Sequence, residues 1–270
     1  MNSGFDELLG YRFRAYATTD VGPRSTNQDR FLLDTFGDWK VLAVADGMGG
    51  GQFGAEAAEI AMTAIRNQAS GCTKVDGQHN LQCVNVMAES VELAHQQVYE
   101  LGETNKCASG EVGTTLTSLT ITPDLSACIV THVGDSRAYL YSRARGFVPI
   151  TEDHAIGNRL TRAITNDTHF ARNPDVGDFD IDSNEATVLG IMTDGLWCSA
   201  GEKRLSKFFR MIASHPENIS QIVCDLFAES LVNATDNCTA IFAVIESEPV
   251  NFAGRRHFGI TLPIRMPWMN

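Results

Sequence analysis

Three apolar, β-branched runs follow one another closely in this chain, at 114–122, 127–133 and 137–141. The connections between them are a few residues long, and Gly134-Asp135-Ser136 is the whole of the second. A parallel crossover needs about a dozen residues or more, so strands this close must pair antiparallel. Segments 13–18 and 31–35 read as further short strands around a turn-rich stretch, 19–29. Segments 40–45, 186–193 and 239–245 are compact apolar runs of the kind that fill buried strands. Helical spacing is confined to blocks. Ala57, Ile60, Ala61, Ala64 and Ile65 share one face, and Val84, Met87, Val91, Ala94, Val98 and Leu101 share another. Ile219, Ile222, Val223, Leu226, Phe227 and Leu231 outline a third helix. Helices grouped in blocks, and not alternating one for one with strands, predict an α+β fold.

The remaining segments are polar. A glycine-rich turn is expected over 48–54, a loop over 71–80, and an irregular surface excursion over 155–182. The stretch after Glu246 changes character, with three of the eight prolines and the cluster Arg255-Arg256-His257. The expected organisation is one domain over 1–246 and a tail over 247–270.

Composition narrows the function classes. The chain has 270 residues, 43% hydrophobic and 20% charged, enough for a packed core. A formal net charge of −12 argues against nonspecific nucleic-acid binding and against docking on anionic membranes. No apolar run reaches the roughly 18 residues of a membrane-spanning helix. Residues 1–10 carry Asp6 and Glu7 where a secretory signal would be basic, so none is expected. The seven cysteines are scattered, with no Cys-x-x-Cys pair, which points to reduced thiols and a cytoplasmic location.

The chemistry-bearing residues stand at strand ends. Asp46 follows 40–45, Asp194 follows 186–193, Asp236 precedes 239–245, and Asp135 sits between two strands. Only a fold could unite residues so far apart in sequence. An oxygen-only donor set suits Mg²⁺ or Mn²⁺ and does not suit zinc. Gly47 adds a backbone carbonyl. Two such ions about 3.5–4 Å apart can activate a shared water and stabilise a leaving oxygen. Any single Asp-Gly pair is also ordinary turn chemistry; the recurrence at several strand ends carries the argument.

The motifs, in order, are Arg24-Ser-Thr-Asn-Gln-Asp29, Val44-Ala-Asp-Gly-Met-Gly-Gly50, Gly113-Thr-Thr-Leu-Thr117, Val133-Gly-Asp-Ser-Arg137 and Thr151-Glu-Asp-His154. They continue with Leu160-Thr-Arg-Ala-Ile164, Thr193-Asp-Gly-Leu196 and Asp236-Asn-Cys-Thr239. Together they resemble the metal-dependent protein phosphatase family of the 2C type in its compact bacterial form. The resemblance implies a central β-sandwich of two antiparallel sheets with helices on both outer faces. It implies two or three Mg²⁺ or Mn²⁺ ions, with Asp46 as the bridging carboxylate and the Gly47 carbonyl on the second ion. Asp194 and Asp236 would hold the first, Asp135 and Asp194 a third, and Asp29 remains available beside Gln28. Arg24 matches the arginine that grips the substrate phosphate. The implied reaction is direct attack of a metal-bridging water on phosphoserine or phosphothreonine in proteins. The implied partners are phosphoproteins made by a serine/threonine kinase, and the expected state is a monomer.

The chain departs from the family pattern at two places. Gln28 stands where glutamate is frequent, which removes a charge near the second ion. Met48 stands where many eukaryotic members carry a histidine general acid, leaving His154 as one conceivable donor. Arg159 and Arg162 are possible contacts for an anionic substrate, and 155–182 matches the flap of bacterial relatives. Two rival readings compete with this one. Gly49-Gly-Gly-Gln-Phe-Gly54 with Asp76 has the spacing of a dinucleotide-binding loop, but it leaves Asp135, Asp194 and Asp236 unexplained. A non-catalytic partner-binding version of the phosphatase fold rests on Gln28 alone.

Overall fold

The computed structural model of the protein describes residues 4–10, 12–48, 53–72, 79–157, 159–170 and 173–247. The chain begins with β1 (Gly4–Gly10), β2 (Phe13–Asp20), β3 (Arg30–Phe36), β4 (Trp39–Ala45) and β5 (Gly47–Met48). Helices α1 (Gly54–Cys72) and α2 (His79–Asn105) follow. Next come β6 (Gly113–Thr114), β7 (Leu116–Ile121), β8 (Ala127–Val133), β9 (Arg137–Ser142) and β10 (Gly146–Pro149). The short β11 (Ala155–Ile156), β12 (Arg159–Leu160) and β13 (Ile164–Thr165) precede β14 (Asp175–Asp180) and β15 (Thr187–Met192). Helices α3 (Asp194–Ala200), α4 (Glu202–Ser214) and α5 (Ile219–Leu231) lead to β16 (Cys238–Ile245).

Two sheets dominate, one ordered β1-β2-β16-β15-β9-β10 and the other β14-β8-β7-β4-β3. Pairing in both is antiparallel throughout. Side chains alternate between two buried faces, because successive Cβ atoms point to opposite sides of a strand. In β4, Leu42 and Val44 enter the core between the sheets, while Val41, Ala43 and Ala45 pack under α1 and α2. In β16, Ile241, Ala243 and Ile245 face the same inter-sheet core, while Ala240, Phe242 and Val244 meet α4 and α5 residues such as Phe209 and Leu226. The result is a four-layer α-β-β-α sandwich, which is why β4 and β16 lack polar alternation.

Several elements differ from the sequence reading. The excursion over 155–182 ends in a regular strand, β14, at the edge of the five-stranded sheet. Asp178 and Asp180 are exposed while Phe179 packs into the core; a charged edge strand resists edge-to-edge association but hides its strand character. One helix was expected between Asp194 and Leu231, and three are present. The spacing of Leu205, Phe208, Phe209 and Ile212, all buried in α4, is the signal that was passed over. The strand expected over 114–122 is split: Thr115 leaves the ladder and its amide bonds the Asp46 carbonyl at 2.9 Å. β1 and β10 were not anticipated. The Gly49–Gln52 part of the glycine-rich turn, Asp76 and the tail from 248 lie outside the described residues.

Candidate metal centre

Antiparallel pairing places the end of one strand beside the start of the next, and this gathers the aspartates. Ala45 pairs with Arg30, so Asp46 and Asp29 leave the sheet side by side. Met192 pairs with Arg137, which puts Asp194 and Asp135 at the same end of their sheet. Cys238, two residues after Asp236, pairs with Asp20 at that end as well.

The electrostatics record the convergence. Burial first, and then the charges of Asp29, Asp194, Asp236 and Asp135, hold the Asp46 carboxyl well above the usual carboxylate range. Burial, with Asp194 and Asp153 nearby, pushes Asp135 up to about 6. Burial likewise leads in Asp29, pushed up to about 7 despite hydrogen bonds from Thr239 and Thr193. Asp194 is raised by burial while accepting a hydrogen bond from the Asp46 carboxyl. Four carboxyls that resist ionising together are a site that favours a cation.

The backbone around them is tightly held. Thr115 Oγ1 accepts from the Asp46 amide at 3.0 Å, and Thr114 Oγ1 donates to the Asp46 carbonyl at 2.9 Å. Gly47 is wedged among backbone: a Cβ there would collide with the Gly54 carbonyl and come 2.7 Å from the Gln28 carbonyl oxygen. Asn237 binds three backbone groups of the 21–28 loop. Its Oδ1 accepts from the Gln28 amide at 2.9 Å, and its Nδ2 donates to the Val21 and Thr26 carbonyls at 2.8 and 3.0 Å. Thr193 Oγ1 donates to Asp29 Oδ2 at 2.8 Å. Asn237, Thr193, Thr114 and Thr115 were missed as functional residues. The signal was there: each is a polar neighbour of a motif aspartate or lies in the quoted Gly-Thr-Thr run.

Arg24 stands at the rim. Its Nη2 donates to Asp236 Oδ2 at 2.7 Å and its Nε to the Thr235 carbonyl at 3.1 Å, with more than half of the side chain exposed. Arg162 is engaged elsewhere, on Asp175 at 2.8 Å, and Arg159 is exposed on β12. His154 is 3% exposed and bonded at both ring nitrogens, to Gly134 and Asp175. His132 is a buried strand residue bonded to Thr117 and to the Glu152 carbonyl. Burial and Asp194 push the Cys198 thiol up to about 11, so it stays protonated near neutral pH.

The donor set fits a hard divalent cation. Asp29 Oδ1 and Asp194 Oδ1 are buried without a hydrogen-bond partner, a costly arrangement that an oxygen-seeking ion would relieve. The carboxylates are neighbours and not a closed cage: among the described residues, no three His, Cys, Asp or Glu side chains form a ready-made ion cluster.

Protein phosphatase 2C is the family whose pattern matches, over residues 22–233. The chain belongs to this family. Protein phosphatase PhpP of Streptococcus pneumoniae serotype 2 is 33% identical over 152 residues, which are 54% of this chain and 56% of that protein. The matched segment thus spans about half the length of the curated relatives. The fold agrees with the S. agalactiae serine/threonine phosphatase, at TM-score 0.72 and 22% identity over 91% of this chain and 100% of that one. It also agrees with the catalytic domain of the phosphatase PstP, at TM-score 0.71 and 22% identity over 87% and 99% of the two chains. That structure is a complex with 2 manganese ions.

Proposed function

We propose that this protein is a metal-dependent protein serine/threonine phosphatase that hydrolyses phosphoserine and phosphothreonine directly with water. The observation that carries the reading is the convergence of Asp29, Asp46, Asp135, Asp194 and Asp236 at one end of the sandwich, with Arg24 at its rim. Asp46, the Gly47 carbonyl, Asp194 and Asp236 would hold two Mg²⁺ or Mn²⁺ ions, and Asp135 with Asp194 a third. When bound, the ions supply Lewis-acid activation of water and neutralise charge on phosphorus and the leaving oxygen.

The protein groups do the rest. Arg24 offers a planar guanidinium that orients the phosphate through paired charge-assisted hydrogen bonds. It leans on Asp236, which keeps it beside the cluster. Met48 supplies no proton. His154 is a poor donor to the leaving alcohol, since its ring is buried and both nitrogens are engaged. In the metal-free protein the Asp29 and Asp135 carboxyls are raised to about 7 and about 6, and a cation bound beside them would displace those protons. We assign the catalytic unit to 1–246, with 155–182 as a flap beside the site. A cytoplasmic monomer acting on the products of a serine/threonine kinase is the biological setting proposed. The buried, unbridged thiols of Cys128 and Cys238 support a reducing compartment. Among the described residues, no helix is long and apolar enough to cross a membrane.

The test is release of phosphate from phosphoserine, phosphothreonine and phosphotyrosine peptides by the purified protein. Turnover should require Mn²⁺ or Mg²⁺, stop with chelator, and favour the first two peptides. A folded protein inert with every metal would leave only the partner-binding reading. Arg24→Ala should lower kcat/KM about 10–100-fold, the value of a charged hydrogen bond of about 1.5–3 kcal/mol. Measured Mn²⁺ affinity should not fall with it.

A further inference from the structure

The turn that carries Asp135 is held from outside the carboxylate cluster. Gly134 has φ +116, a conformation that suits glycine, and a Cβ there would lie 2.6 Å from the Thr115 side chain. Trp197 Nε1 donates to the Asp135 carbonyl at 3.0 Å. The third hold is His154. Its backbone amide donates to the Gly134 carbonyl at 2.7 Å. Its Nδ1 accepts from the Gly134 amide at 3.2 Å.

That last bond fixes the tautomer. Nδ1 is an acceptor, so the ring proton lies on Nε2 and donates to Asp175 Oδ2 at 2.9 Å. Asp175 Oδ1 in turn accepts from Arg162 Nη1 at 2.8 Å. The His154 carbonyl accepts from Thr161 across the β11–β12 hairpin at 2.8 Å. Burial lowers the His154 pKa, and the His132 ring lies 4.6 Å away, so the ring stays neutral and the bond pattern is maintained. One buried imidazole therefore joins the Asp135 turn to Asp175, which opens β14, and to Arg162 of the 155–182 segment.

We infer that His154 is a positioning residue: through Nδ1 it sets the Gly134-Asp135 turn that presents Asp135 to a divalent cation, and through Nε2 it couples that turn to Asp175 and Arg162. The inference rests on the phosphatase reading for the purpose of the cation, but not for the linkage itself. Its two arms can be cut separately. Asparagine places an acceptor oxygen where Nδ1 stands and keeps the Gly134 arm. Glutamine places an amide donor near Nε2 and keeps the Asp175 arm.

The experiment uses the full chain and two readouts, amide hydrogen exchange at Gly134 without metal and calorimetric titration with Mn²⁺ alone. In His154→Ala and His154→Gln, Gly134 exchange should rise about tenfold or more, the loss of one buried hydrogen bond. The weaker class of Mn²⁺ sites should lose affinity by a similar factor. His154→Asn should restore both toward wild type, a rescue that general loosening of the core would not produce. Asp175→Asn, which keeps an acceptor oxygen for the Nε2 proton and so preserves the tautomer, should leave Gly134 exchange unchanged. Wild-type exchange and Mn²⁺ affinity in both the asparagine and glutamine variants would overturn the inference, and so would equal losses in the two. Should the wild-type protein bind no Mn²⁺, the functional reading fails, while Gly134 exchange still decides whether His154 sets the turn.

Discussion

Asp46→Ala is expected to cut Mn²⁺-dependent turnover by roughly 1,000-fold or more, the scale of losing a central electrostatic element of an active site. The protein should remain folded. Asp46 is half-buried among four other carboxylates, and its own carboxyl is held well above the usual range by desolvation and by those neighbours. Removing it relieves repulsion, while the backbone at that position stays clamped by Thr114 and Thr115. Metal-free Asp46→Ala should therefore melt at or above the wild-type temperature while losing Mn²⁺ binding. That combination separates a ligand from a structural residue, since truncating a structural buried group lowers stability. Near-normal turnover in saturating Mn²⁺ would sink the mechanism.

The second large effect concerns pH and cation together. Asp29 and Asp135 are raised to about 7 and about 6, and Asp46 and Asp194 are raised as well. A carboxyl with a folded pKa above its unfolded value favours folding when protonated. Its contribution is present below about pH 4 and is lost as pH climbs through 6 to 7 in chelator. Buried His132 has the opposite sign: burial drives its pKa down to about 3, so its contribution is lost as pH falls below the ordinary histidine value. The difference between melting temperatures in Mn²⁺ and in chelator removes the histidine part, which is common to both conditions. That difference should be small at pH 5 and grow through pH 8, because protons and cations compete for the same oxygens. At 100 times Kd the gain is about 2.7 kcal/mol, or several degrees for a domain of this size. A difference that stayed level or shrank as pH rose would contradict a carboxylate cation site.

Much of this was legible in the chain itself. The closeness of 114–122, 127–133 and 137–141 required antiparallel pairing, and strand ends are where apolar runs stop, so Asp46, Asp135 and Asp194 could be placed in advance. β14 was not legible, because an edge strand with exposed Asp178 and Asp180 imitates a solvated loop. Helix α4 escaped because its four buried residues are interspersed with Glu202, Lys203, Arg204 and Lys207.

The motifs named the carboxylates but not their supports. Asn237, Thr115 and Thr193 act through hydrogen bonds spanning 209, 69 and 164 residues of chain, and no local pattern encodes such a partner. His154 makes the same point: the sequence offered it only as one conceivable proton donor beside a structural role, while its two bonds in space make it a strut. The sequence by itself determined the α+β class, the oxygen-rich donor set and the residues that bear it, because periodicity and side-chain chemistry are local properties. Only the tertiary structure decided that those residues meet at one end of the sandwich. It also decided which of them are buried enough to resist ionising together and that Arg24 lies against Asp236. Distance and desolvation are properties of the packed molecule, and a sequence carries them only through its fold.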